Sequence, residues 1–340
     1  MVAGRSKTLQ LILEQQNKKN FCALDIQTGA TVCVRIFYAP SNIKSLELTA
    51  TALLGKALTA VSPVLYCDHS QNEFIVVTKF VPGVTLKQLV AKNPLRTHQV
   101  LKLLSDLSTA FQELHQFGLA FRYLTPEHVI VNDTADKFTL VNPFLELAES
   151  SSAENILNFM PPEVLENGTL EESSELYVLG ALAHFAITGQ NPFQGATDSE
   201  LQRNISLTSV TKLRSANPQN IRAMEEVIDR LLRKKSRERY QNHAALIHDT
   251  KALFTMVTQG NTDPKFAIGT TDVRSQLATA SYVVSGEELN DWRQQLNRLS
   301  SGNGNLILLE ALSGGGKTRL IEEFEILARR YDVCIVRGQG

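Results

Sequence analysis

The sequence predicts an α+β protein with a small strand-rich lobe, a larger helical lobe and then the start of an α/β domain. Residues 1–82 contain short apolar runs separated by turn signals, such as Gln27-Thr28-Gly29. From residue 97 the apolar residues take helical spacing, and mostly helical patterns continue to about residue 257. A buried strand followed by a glycine-rich turn comes only after residue 305. These three observations give the order of the predicted parts.

Strands and helices follow from the local patterns. Residues 21–25 and 31–37 flank the Gln27-Thr28-Gly29 turn and predict a hairpin, and residues 74–77 predict a further strand. Residues 41–60 carry alanine and leucine at helical density. A long amphipathic helix is predicted by six apolar residues at spacings of three and four: Val100, Leu103, Leu104, Leu107, Phe111 and Leu114.

Two later segments complete the first part. Residues 129–131 and 138–141 predict two short strands, and residues 176–187 are apolar all round, which predicts a fully buried helix. We therefore predict a first domain over residues 1–258, with a small lobe at about 1–82 and a larger lobe at about 83–258. Residues 259–285 are predicted as a linker, because their first half has little periodicity, two glycines and a proline.

Composition predicts an ordinary cytoplasmic protein. The chain is 43% hydrophobic and 20% charged, and its net charge of −1 argues against a nucleic-acid partner. Its four cysteines lack metal-ligand spacing and are predicted to be free thiols in a reducing compartment. The longest apolar run, residues 176–187, is too short to span a bilayer, so no membrane segment is predicted.

The best-formed chemical motif lies near the C-terminus. A buried strand at residues 306–312 is followed by Ser313-Gly314-Gly315-Gly316-Lys317-Thr318 at the start of a helix, which is a P-loop arrangement. Backbone N–H groups of such a loop bind phosphate oxygens, and Lys317 and Thr318 are predicted to contact the terminal phosphates and Mg²⁺. ATP and Mg²⁺ are therefore expected here. Ala311 stands where the usual pattern begins with glycine, and the alternative interpretation is a glycine-rich turn with an exposed lysine.

Residues 286–340 are predicted to be the N-terminal part of this second domain. Only ~55 residues follow Gly286, too few for the several parallel strands of a P-loop core. We therefore expect the chain to be the front of a longer protein.

Residues 1–257 resemble a protein kinase domain. The landmarks stand in kinase order: Val32-Cys33-Val34-Arg35, the hinge region at residues 74–83, the catalytic-loop region at 114–130, Leu140-Val141-Asn142-Pro143-Phe144, Met160-Pro161-Pro162-Glu163, the helix at 175–180 and Arg237-Glu238-Arg239-Tyr240. The resemblance implies a bilobal fold. It also implies structural roles for Arg122, Glu163 and Arg239, of which the last two are expected to pair.

Five positions depart from the residues that the family uses for catalysis. Arg35 stands at the lysine that contacts the α- and β-phosphates, and Tyr123 at the catalytic base. Thr125 replaces the neighbouring lysine, while His128 and Asn142 replace the second and first metal ligands. The resemblance then implies no catalytic residue in this domain and no firm cofactor.

Two further kinase features are absent from the sequence. Gly29 is the only glycine between Leu13 and Cys33, so the glycine-rich loop over the phosphates is not formed. Glu47 is the available glutamate for pairing with Arg35, but it lies about one turn too early, and Thr51 is expected at its place.

Residues 267–340 resemble the entry to signal-transduction ATPases of the STAND and AAA type. The similarity lies in residues 267–272, in residues 282–289 and in the P-loop, with Glu287 at the arginine of the family's "Gly-Arg-Glu" turn. This resemblance implies other signalling proteins or domains as partners, and oligomerisation through the ATPase domain.

Three functional hypotheses follow. The first is an inactive kinase-fold module, a pseudokinase, that regulates or scaffolds the following P-loop ATPase. The second is a divergent but active Ser/Thr kinase with unusual ligands. The third is an ATPase as the only enzyme, with the N-terminal part as inert scaffold. His115 is interpreted as a packing residue, and no metal site is predicted for His243 and His248, whose spacing on a helix is off-register.

Overall fold

The computed structural model describes residues 6–15, 18–38, 43–69, 73–120, 124–141, 156–167, 170–210 and 222–272, together with Leu296 and Arg298. The chain divides into two compact units, Met1–Asp272 and Val273–Gly340. Every helix and strand given below belongs to the first unit. The P-loop residues 313–318 lie outside the described residues, so the second domain and the linker boundaries stay predictions.

The N-terminal lobe is a five-stranded antiparallel sheet with one helix. Its strands follow the order β1-β2-β3-β5-β4. The elements are β1 (Ser6–Gln15), β2 (Lys18–Asp25), β3 (Thr31–Tyr38), α1 (Ile43–Leu53), β4 (Val64–His69) and β5 (Glu73–Lys79). The predicted hairpin is present between β2 and β3, where Gly29 has a φ of 69° that favours glycine.

Alternation along β3 gives the sheet two different faces. Val32, Val34 and Ile36 pack in a small apolar cluster on one face. Phe37 belongs instead to the main core, which continues into the helical lobe. Because side chains alternate along a strand, Arg35 lies on the same face of β3 as Phe37.

The C-terminal lobe is mainly helical. Its elements are β6 (Val84–Thr85), α2 (Leu86–Lys92), α3 (Thr97–His115), a 3₁₀ turn (Pro126–His128), β7 (Val129–Val131), β8 (Phe138–Leu140), α4 (Pro162–Asn167), α5 (Glu172–Thr188), α6 (Asp198–Leu207), α7 (Arg222–Leu231), a second 3₁₀ turn (Ser236–Glu238) and α8 (His243–Thr258). Strands β6, β7 and β8 form a small antiparallel sheet. This architecture confirms the predicted bilobal α+β fold.

Helix α5 is the centre of the helical lobe. Nearly all of its residues are buried, as the apolar sequence predicts. Gly180 allows a close crossing with α7, because a Cβ at this position would lie 2.6 Å from the Cβ of Leu231. The helix ends at Gly189, whose φ of 73° forms a left-handed C-cap.

Backbone hydrogen bonds join the two lobes beside the small sheet. Ser62 N–H donates to the carbonyl of Leu140 at 2.8 Å, and Leu140 N–H donates to the carbonyl of Ala60 at 2.8 Å. The segment between α1 and β4 is therefore fixed against β8. Within the part of the chain that the structure describes, no helix has the length and apolar character needed to cross a bilayer.

Candidate active site

Arg35 is a buried cation on β3, only 6% exposed. Its Nη1 donates to Thr78 Oγ1 at 3.0 Å. Its Nε is buried and has no hydrogen-bond partner among the described residues. Buried polar groups are normally hydrogen-bonded, so Nε of Arg35 is available to donate a hydrogen bond to a ligand.

Two residues of β2 lie on the same face of the sheet as Arg35. Asn20 is the register partner of Arg35. Lys18 lies two residues before Asn20 on the same strand and therefore on the same face. Lys18 is 7% exposed, and its Nζ lies 5.6 Å from the centre of the Phe37 ring. The Oδ1 atom of Asn20 is buried without a hydrogen-bond partner in the described part of the chain. This face therefore carries two cations and an unpaired acceptor.

The facing side of the site is formed by the 3₁₀ turn Pro126–His128. His128 Nδ1 accepts the backbone N–H of Thr125 at 3.0 Å, and the Thr125 hydroxyl lies 3.0 Å from the same nitrogen. Burial and the charges of Lys18 and Arg35 together lower the pKa of His128 to about 3, against the opposing effect of Glu127. At neutral pH the ring is therefore uncharged, and its proton is on Nε2.

Since the charges of Lys18 and Arg35 act on the pKa of His128, both side chains lie near its ring. The sheet of the N-terminal lobe and the turn before β7 thus bring three basic side chains together. Sequence analysis singled out Arg35, Thr125 and His128 but missed Lys18 and Asn20. The signal that could have found them is the alternation in β2 together with its pairing to β3.

Glu47 does not take part in this group. Its Oε1 lies 3.4 Å from Nδ1 of His69, and both side chains are about half exposed. The expectation that Glu47 is misplaced for pairing with Arg35 agrees with this position. The buried partner of Arg35 is the hydroxyl of Thr78 instead.

Glu163 and Arg239 form an ion pair away from the basic group. Nη1 and Nη2 of Arg239 donate to the two carboxylate oxygens of Glu163 at 2.7 and 2.8 Å. The guanidinium also donates to the backbone carbonyls of Arg233, Ser173 and Lys234. Burial alone would raise the pKa of Glu163, but the hydrogen bonds and charge of Arg239 hold it below its usual value. This bidentate pair ties α4 to the segment before α8.

The remaining predicted site residues lie outside the described residues. These are Arg122, Tyr123 and Asn142 in the first unit, and the P-loop residues Ser313, Gly314, Gly315, Gly316, Lys317 and Thr318 in the second. Their roles stay predictions.

Comparison with known proteins identifies the fold of both lobes. The model of the family "Protein kinase domain" matches residues 45–250. The serine/threonine-protein kinase PrkC of Bacillus subtilis is 21% identical over 265 residues, which cover 74% of this chain and 41% of that protein. The DNA damage-responsive serine/threonine-protein kinase RqkA of Deinococcus radiodurans is 27% identical over 263 residues, covering 73% and 39%.

A third relative and a solved structure agree with this result. Serine/threonine-protein kinase D of Synechocystis is 25% identical over 302 residues, which cover 79% of this chain and 57% of that protein. The crystal structure of Rad53 1-466 in complex with AMP-PNP has a TM-score of 0.63 and 18% identity, covering 72% and 64% of the two chains. The chain spans less than two thirds of the length of these curated relatives.

These findings correct one prediction. The first functional hypothesis, an inactive kinase-like module that regulates an ATPase, is wrong, because the matched family is the protein kinase domain and the relatives are named as serine/threonine kinases. Five substituted positions had suggested inactivity, but they coexist with kinase landmarks that stand in the order of the family. The match covers residues from both lobes and more than half of the chain, and the protein therefore belongs to the protein kinase domain family.

Proposed function

We propose that this chain is a Ser/Thr protein kinase that transfers the γ-phosphoryl group of ATP to hydroxyl groups of proteins. The observation that carries the proposal is the match of the kinase family across residues 45–250, together with relatives that are named as serine/threonine kinases. In this reaction the bond from the γ-phosphorus to the β,γ-bridging oxygen breaks, and a bond to the hydroxyl oxygen forms. The hydroxyl proton is released and ADP leaves.

The basic group between the lobes supports ATP as the phosphoryl donor. A triphosphate is strongly anionic, and Arg35 and Lys18 supply two buried positive charges on one face of the sheet. The unpaired Nε of Arg35 is a donor of the planar guanidinium, which matches phosphate oxygens in geometry. We propose that these two cations hold the phosphates and offset the charge that develops during transfer.

Asn20 adds a hydrogen-bond acceptor to the same site, and His128 adds a hydrogen-bond donor. The unpaired Oδ1 of Asn20 accepts hydrogen bonds only, so it fits the ribose hydroxyls or the adenine amino group of the nucleotide. His128 carries its proton on Nε2, which makes that nitrogen a donor. Such a ring does not fit Mg²⁺, which takes oxygen ligands.

The proposal is tested by phosphoryl transfer from γ-labelled ATP, with the full chain and a general protein substrate. Arg35→Ala should lower the rate by about 10²-fold, because a charge that stabilises the transition state is lost. Lys18→Ala should also lower it. Lys19→Ala is the matched control, since Lys19 is the next residue on β2 and lies over Tyr38 on the other face.

A loss of phosphoryl transfer is informative only if the variant remains folded. Arg35→Lys keeps a positive charge and restores the residue type that the family uses, so its activity should be retained while Arg35→Ala loses it. Equal melting temperatures of these variants would show that the fold is intact. Absence of any transfer by the unaltered chain, in the presence of a phosphorylatable substrate, would overturn the proposal.

We also propose that Ser313-Gly314-Gly315-Gly316-Lys317-Thr318 binds a second nucleotide with Mg²⁺ as part of a STAND or AAA-type ATPase domain. This proposal rests on the glycine-rich motif after an apolar strand. Photo-crosslinking of ATP followed by mass spectrometry should label the peptide that contains Lys317, and Lys317→Ala should abolish that label alone. Signalling partners, oligomerisation through this domain and a cytoplasmic location belong to the same proposal.

A further inference from the structure

A cluster of histidine and glutamate side chains lies where three helices meet in the C-terminal lobe. His115 is the last residue of α3, Glu172 is the first residue of α5, and His243 is the first residue of α8. Glu175 follows Glu172 by one helical turn. None of these residues belongs to the basic group between the lobes.

The side chains of this cluster are close together. Oε2 of Glu175 lies 2.7 Å from Nε2 of His115 and 3.2 Å from Nε2 of His243. Oε1 of Glu172 accepts the backbone N–H of His243 at 2.8 Å. The ring of His243 is stacked on Phe111 with centroids 5.1 Å apart, which fixes its orientation.

The environment of the cluster is polar but buried. The side chains of Glu175 and His243 are fully buried, whereas His115 is 31% exposed. Glu175 and Glu172 therefore bring two carboxyl groups to the two imidazole rings.

One buried nitrogen of the cluster, Nδ1 of His243, has no hydrogen-bond partner among the described residues. Buried nitrogens are normally hydrogen-bonded, so this atom is one that a ligand could satisfy.

We propose that His115, Glu172 and His243 bind a divalent transition-metal ion of the Zn²⁺ class, with Glu175 as a neighbouring oxygen ligand. One ligand atom from each of the three residues lies within 4.8 Å of the other two. Two imidazoles with a carboxylate are a donor set typical of Zn²⁺.

Small movements suffice to close this arrangement on an ion. Ligand atoms about 2.1 Å from a tetrahedral Zn²⁺ lie about 3.4 Å from one another. The partly exposed side chains of His115 and Glu172 supply the required movement of about 1 Å, and they give the ion a path from solvent. The bound ion would neutralise the two carboxylates and join α3, α5 and α8.

The test uses the full chain, freed of metal with a chelator and then titrated with ZnCl₂. Binding to the folded protein alone raises its melting temperature, by about 5 °C or more at a hundredfold excess over the dissociation constant. Calorimetry should give one high-affinity site, and Co²⁺ in place of Zn²⁺ should give the visible absorption of a tetrahedral site.

Substitutions assign the site to the cluster. Glu172→Gln keeps an oxygen that accepts the His243 N–H but removes the carboxylate ligand, so it should fold and lose most of the Zn²⁺-dependent rise. His115→Gln should do the same. His248→Gln is the control, because His248 lies on α8 with its side chain 53% exposed and pairs with Asp249 outside the cluster.

Two results would overturn the proposal. One is an unchanged melting temperature of the unaltered chain in Zn²⁺. The other is a Zn²⁺-dependent rise in Glu172→Gln and His115→Gln equal to that of the unaltered chain, which would assign the ion to other residues. Because neither result depends on phosphoryl transfer, the test is independent of the proposed kinase activity.

Discussion

The ion pair of Glu163 and Arg239 gives the sharpest prediction about stability. The Arg239 side chain is fully buried, and Glu163 is 20% exposed. Glu163→Gln removes the charge that balances the guanidinium and leaves its hydrogen bonds to three backbone carbonyls in place. Breaking a buried pair from one side destabilises proteins by about 3–5 kcal/mol. Since Glu163 is partly exposed and the other hydrogen bonds remain, we expect about 3 kcal/mol.

The assay is urea unfolding of the full chain, followed by thermal melting. A loss of about 3 kcal/mol corresponds to a fall of about 6–12 °C in melting temperature for a domain of this size. Glu226→Gln is the matched control, because it breaks the exposed pair with Arg222 and should change stability by less than about 0.5 kcal/mol. A Glu163→Gln variant as stable as this control would refute the reasoning.

The ion pair of Glu163 and Arg239 also determines how the stability of the fold changes with pH. Arg239 lowers the pKa of Glu163 below its ordinary value of 4.5. The stabilisation is therefore present above about pH 4.5 and is lost as the pH falls through the lower pKa of the folded state. The difference between Glu163→Gln and the unaltered chain should accordingly shrink in acid.

Two other predictions concern packing and protonation. Gly180→Ala should destabilise the protein by about 1–3 kcal/mol in urea unfolding, because the new Cβ would lie 2.6 Å from Leu231 Cβ; a change near zero would show that α5 and α7 separate easily. Burial lowers the pKa of His128 from 6.5 to about 3, so the unfolded chain binds one more proton there and stability should fall by about 1.4 kcal/mol per pH unit below pH 6.5. His128→Gln should remove that part of the slope, and an identical slope in the variant would contradict the burial of a neutral ring.

Local patterns were sufficient to predict most of the framework. The spacing of apolar residues predicted α3, and the continuous apolar run predicted the buried helix α5, because each pattern reports directly on burial. Strand β4 (Val64–His69) was missed, since it pairs only with β5 and carries partly polar residues. Edge strands of this kind give a weak alternation signal.

The chemistry of the sites depends on contacts that no local pattern contains. Lys18 and Asn20 join Arg35 only through the register of β2 with β3. His115 was expected to be a packing residue, but the helix packing brings it against Glu175 and His243 from distant parts of the sequence. The neutral state of His128 follows from its burial beside two cations, which the sequence alone does not give.

The measurement that tests the central claim most directly is phosphosite mapping by mass spectrometry after incubation with ATP. The full chain carrying Lys317→Ala should be used, so that nucleotide chemistry at the predicted P-loop does not contribute. Phosphorylated serine or threonine should appear on the substrate and depend on Arg35, with Lys19→Ala unchanged. Two results would show that the assignment of phosphoryl transfer to the site between the lobes is wrong. One is that no phosphorylated residue appears, and the other is that adding Arg35→Ala leaves the extent of phosphorylation unchanged.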